Sequence, residues 1–108
     1  MKNKALITLL LFVLLGANPL FAQGEISKEC ISNSSISHEA VKSENYKDAY
    51  NPWKVVIRDC PLLRFYTFTD GYKILKGLMD ANGDKNSPEY KKYFEELMET
   101  HDLRIKLT

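Results

Sequence analysis

Apolar residues recur at three- and four-residue steps along most of this chain after its first two dozen positions, and that spacing predicts helices. The clearest run places Tyr46, Ala49, Tyr50, Trp53, Val56, Ile57 and Cys60 on one face, with Lys47, Asp48, Lys54, Arg58 and Asp59 opposite. It predicts a helix over 46–60, bent at Pro52, where a backbone hydrogen bond is lost, and stopped by Pro61. A weaker pattern over 29–44 turns Cys30, Ile36, Ala40 and Val41 inward, and serines at 32, 34, 35 and 37 lower its helix propensity. Residues 67–80 form a third predicted helix, burying Phe68, Tyr72, Leu75, Leu78 and Met79, with Gly71 and Gly77 either permitting close packing or costing stability. Ser87-Pro88 then opens a fourth, over 88–106, with a capping residue and a proline at its first position. Its apolar stripe is Tyr90, Tyr93, Phe94, Leu97, Met98, His101 and Ile105. Between the second and third helices, Leu62, Arg64, Tyr66 and Phe68 alternate as a strand does, so an extended connection is expected there. Ser43 to Asn45 and Asn82 to Asn86 are turns. The fold class is all-α, built from antiparallel helix hairpins.

The first 22 residues follow a different pattern. Lys2 and Lys4 precede an apolar run from Ala5 to Leu15 that holds one polar residue, Thr8, then Gly16, Asn18 and Pro19 interrupt it ahead of Ala22. A basic start, a short apolar segment and a small residue before the cut describe an export signal cleaved after Ala22. Eleven residues, ten of them apolar, fall well short of the roughly 20 that span a bilayer. A polar lead-in, 23–28, then leads to one domain, 29–108. The expected location is the periplasm, the outer membrane or the exterior, with membrane contact only through the signal during export.

Composition narrows the function. Without Lys2 and Lys4, 13 basic side chains face 14 acidic ones, so no basic stripe marks a nucleic-acid binder. Such a short domain is near the lower limit for a self-sufficient core and needs a staple, a partner or further sequence. In an oxidising compartment Cys30 and Cys60 read as a disulfide, the alternative being two buried thiols. If the first two helices fold back around residues 44 and 45, both cysteines lie about fifteen residues from the turn and at the same height.

Candidate chemistry is sparse. Asp80, Asn82, Gly83 and Asp84 resemble the opening of a calcium loop, but Lys85 and Lys91 stand where its glycine and bidentate glutamate belong. His38 and His101 lack the spacing of a zinc pair, and His101 reads as a partly buried packing residue. A cysteine nucleophile would need a thiol that the disulfide consumes, and Ser34 and Ser35 lie in no nucleophile-elbow motif. Asn33-Ser34-Ser35 satisfies the glycosylation sequon and reads as chance. Asp70, Asp102 and Arg104 are a candidate charged site, with surface charges on helices the plainer alternative. No enzyme, metal or cofactor is expected.

Tyr46, Ala49, Trp53 and Pro61 occupy the positions that a tetratricopeptide repeat gives to its second helix and closing proline. Asn45-Tyr46, Ala49-Tyr50, Pro52-Trp53, Cys60-Pro61, Tyr66-Thr67, Asp70-Gly71, Leu97-Met98, Asp102 and Arg104-Ile105 together resemble the start of the exported tetratricopeptide-repeat-like proteins of Bacteroidetes. The resemblance implies an extracytoplasmic, non-catalytic scaffold that binds a protein or peptide, or packs on remaining repeats of a longer chain. Tyr46, Ala49, Tyr50, Trp53, Pro61, Asp70, Gly71, Asp102 and Arg104 are then the core and interaction residues. The alternative is a small secreted inhibitor or effector, stabilised by one disulfide and acting alone.

Overall fold

A computed structural model describes residues 26–108, so the expected export signal and the first half of the lead-in, 23–25, lie outside the described residues. The described chain is all-helical: α1 (Lys28–Lys42), α2 (Tyr46–Asp59), α3 (Thr67–Asn82) and α4 (Pro88–Leu107). Each helix end has a local cause. Ser27 caps α1, its Oγ accepting from the Cys30 amide at 3.0 Å. At the other end Glu44 N–H donates to Val41 O and Asn45 N–H to Ala40 O, a closure that puts Glu44 at φ 59°. Asn45 begins α2 at once, its side chain bonded to Asp48. The helix runs through Pro52 without interruption. Gly83, at φ 77°, ends α3, and Ser87 Oγ accepts from the Tyr90 amide to start α4 with Pro88 in its first turn.

Short turns make α1 and α2 one antiparallel hairpin and α3 and α4 a second. The second packs on the first through α2 and α3, with α3 also touching α1. Val41, Ala49, Trp53, Ile74 and Leu75 form the buried centre, and Tyr46, Tyr50, Ile57, Leu78, Tyr93 and Leu97 close over it. Trp53 is the anchor: its ring is 2% exposed, and its indole N–H donates to the Thr67 carbonyl at 3.0 Å. Two glycines bring α3 against α2. A Cβ on Gly71 would come within 2.8 Å of Trp53 Cε2, and one on Gly77 within 2.8 Å of Tyr46 Cγ. Close packing is thus what these glycines provide.

Three expectations need correction. On α1, Cys30 and Val41 are buried, but Ile36 is 54% exposed, and Ser34 and Ser37 are buried instead. The disulfide fixes the rotation: with Cys30 inward, positions 34, 37 and 41 follow, while 36 lies about 120° round the helix. On α4, Thr100 is the fully buried residue, while Phe94, Met98 and Ile105 are exposed, as is His101 beside Tyr72. The segment from Cys60 to Tyr66 is two tight turns, closed by Leu63 N–H to Cys60 O and Thr67 N–H to Arg64 O. The alternation gives no strand, and Arg64 and Phe65 are both exposed in the turns. On α3, Ile74 joins the expected Phe68, Leu75 and Met79 in the interior, and Tyr72 and Leu78 are partly buried.

Candidate interaction surfaces

At the open end of the first hairpin the Cys30–Cys60 disulfide joins the start of α1 to the residue after α2, with Cα atoms 6.6 Å apart. Beside it lies an open groove of about 520 Å³ lined by Ile26, Pro61, Leu62, Leu63 and Leu107 among others. Leu62 and Phe65 project from the neighbouring turn, Phe65 with 92% of its surface exposed.

Tyr46, Ala49, Tyr50 and Trp53 all face the second hairpin. Tyr50 meets Tyr93 edge-on at 5.4 Å between ring centroids, and its hydroxyl donates to Glu96 Oε1 at 2.6 Å. Lys54 Nζ stands 3.3 Å from the other oxygen of Glu96. Burial, reinforced by the adjacent Glu96 carboxylate, pushes the Tyr50 hydroxyl well above the ordinary tyrosine range. The aromatic set therefore serves to join the two hairpins.

Asp70, Asp102 and Arg104 occupy separate places. Asp70 is 4% exposed and faces α1, where its Oδ2 lies 2.7 Å from His38 Nδ1. The His38 ring stacks on Tyr66 with centroids 3.7 Å apart. Arg104 lies over the Tyr72 ring, and Asp102 is exposed. Sequence reasoning missed the His38–Asp70 pair and Glu96. Partners 32 and 46 residues apart leave no local signal, and a glutamate inside a helical hydrophobic face looks like a solvated charge. The loop from Asn82 to Asn86 is held by its own side chains: Asn82 Oδ1 accepts from the Asp84 amide and from Ser87 Oγ, and Asp84 Oδ1 from the Asn86 amide. Among the described residues no three His, Cys, Asp or Glu side chains converge as a metal site would require.

Among the described residues, one apolar surface left open is the outer face of α4. Tyr90, Phe94, Met98, His101 and Ile105 fall within roughly 80° of arc along four turns. Phe94 is 47%, Met98 43% and Ile105 66% exposed. Shallow depressions flank the stripe: one of about 390 Å³ lined by Tyr90, Lys91, Phe94 and Glu95, the other of about 380 Å³ lined by Leu97, Met98, His101 and α3 residues Tyr72 and Lys76. No family model, curated protein or solved structure matches the chain.

Proposed function

We propose that this protein is a non-catalytic, exported scaffold of the tetratricopeptide-repeat kind, which holds another protein or peptide by burying apolar surface in the cell envelope. The observation that carries this reading is the pair of stacked antiparallel hairpins whose last helix keeps Phe94, Met98 and Ile105 in solvent. A continuous row of large apolar side chains is costly to leave wet and marks a contact surface more often than chance. The disulfide is compatible with an oxidising, extracytoplasmic location. Among the described residues no helix is long and apolar enough to cross a membrane.

The reading is tested by placing a photo-crosslinking residue at Phe94, or at the exposed polar Lys73 as a control, in the chain produced by its own host. A discrete heavier adduct from position 94, absent from position 73, is the expected outcome. Equal labelling at both positions, or none at either, would overturn the scaffold reading.

A further inference from the structure

Antiparallel packing of neighbouring helices sorts the turns and termini into two ends. One end holds the α1–α2 turn and the α3–α4 loop. The other holds the start of α1, the turns between α2 and α3 and the last turn of α4, which meet around the groove beside the disulfide. The two ends differ in chemistry. Residues 42–47 and 80–89 set Lys42, Lys47 and Lys85 against Glu44, Asp80, Asp84 and Glu89, and they expose no large aliphatic side chain or phenylalanine. At the disulfide end Ile26, Leu62, Phe65 and Leu107 all stand exposed, Phe65 almost entirely. Turns are ordinarily built from small and polar residues, so a Leu-Leu-Arg-Phe run in one marks a contact surface. Over 26–29, 58–66 and 104–108 the basic side chains are Lys28, Arg58, Arg64, Arg104 and Lys106, and the acidic ones are Glu29 and Asp59. Asp59 is held by Arg58 at 2.8 Å, and Glu29 acts on the same guanidinium. Among the described residues Lys28, Arg64 and Lys106 are exposed and form no ion pair.

We infer that this end is a docking site for the surface of a lipid bilayer with anionic headgroups. Ile26, Leu62, Phe65 and Leu107 enter the boundary between headgroups and acyl chains, while Lys28, Arg64 and Lys106 meet the phosphates. A fluid interface receives Phe65 together with the groove that Ile26, Leu62 and Leu107 line, whereas a folded segment filling the groove would leave Phe65 wet. The local excess of cations, in a domain otherwise balanced in charge, complements anionic lipid. The preceding sequence points the same way. The predicted cut after Ala22 lies four residues before Ile26, at most about 14 Å along an extended chain, so this end is the part of the domain nearest the bilayer when the signal is removed. The contact adds to the one expected through the signal during export. It leaves the side of α4 open and does not rest on the scaffold reading.

F65W puts a second indole at this end, and K85W puts one at the opposite end as a control; the buried Trp53 is common to both. The chain as its host exports it is added to vesicles of phosphatidylcholine and phosphatidylglycerol with brominated acyl chains. The emission that F65W contributes over the parent should be quenched, and that of K85W and Trp53 kept. In flotation, L62S/F65S, K28E/R64E, raised salt and vesicles of phosphatidylcholine alone should each weaken binding roughly tenfold, with F94S neutral and every variant checked for helicity by circular dichroism. Unquenched F65W emission, equal quenching of F65W and K85W, or flotation indifferent to L62S/F65S or to headgroup charge would overturn the inference. A discrete protein adduct from a photo-crosslinking residue at position 65, with F65W unquenched, would also overturn it and give this end to a protein.

Discussion

The outward stripes of α2 and α4 are alike in spacing and opposite in fate. Tyr46, Tyr50 and Ile57 are partly buried against the second hairpin, whereas Phe94, Met98 and Ile105 stand exposed on it. Periodicity thus identifies which residues share a face and leaves open whether that face is covered. Burial belongs to pairs of elements, and a helix at the edge of a stack keeps the pattern of an interior one without its partner.

Four measurements test how far the contrast extends. The largest effect is expected at the anchor: Trp53→Ala should cost about 3 to 5 kcal/mol, enough to unfold a domain of this size in thermal or urea titrations. Phe94→Ala, 47% exposed, should stay within about 0.5 kcal/mol. A comparable loss at both positions would mean that the α4 stripe is as structural as that of α2. Next is the staple. Replacing Cys30 and Cys60 by serine releases a loop with a sequence separation of 30, and should lower stability by about 3 to 4 kcal/mol in the chain-entropy account. Reductant should lower the melting temperature of the parent chain and leave that of the double variant unchanged.

Gly71→Ala is expected to cost about 1 to 3 kcal/mol, because the new methyl meets the buried, rigid indole of Trp53. A neutral result would show that the two hairpins can separate slightly at no cost. The smallest effect is an alkaline one. Burial, and after it the Glu96 carboxylate, raises the Tyr50 pKa in the folded chain above its unfolded value near 10. Above that pH the unfolded chain releases this proton while the folded chain keeps it, so the stabilising contribution is full below about pH 10 and declines as pH rises further. Tyr50→Phe should flatten this part of the pH–stability curve, and an unchanged slope would assign the alkaline loss to other groups.

Much of the architecture was legible because it has local causes. The cap at Ser87, the turn at Ser43 to Asn45, the stop at Pro61 and the hydrophobic period of α2 all act within a few residues of where they are written. The cysteine pairing was legible for a related reason: equal distances from a turn become equal heights in a hairpin. Ile36 misled because its apolar character suggested a face that the disulfide then rotated away. The alternation at Leu62 to Phe68 misled because it counted Arg64 with the apolar positions, whereas the turn leaves Arg64 and Phe65 both exposed and α3 buries Thr67 and Phe68 together.

Helix number, order and ends follow from chain-local chemistry, in which each residue answers to neighbours one or two turns away, and the sulfur pair follows from the equal distances of its two cysteines from one turn. Which stripe lies under another helix, that Gly71 and Gly77 seat aromatic rings, that His38 finds Asp70 and Tyr50 finds Glu96, were settled by how the hairpins stack. Those contacts join residues far apart in the chain, and their energy depends on distances and solvent exclusion that arise only once two packed surfaces meet.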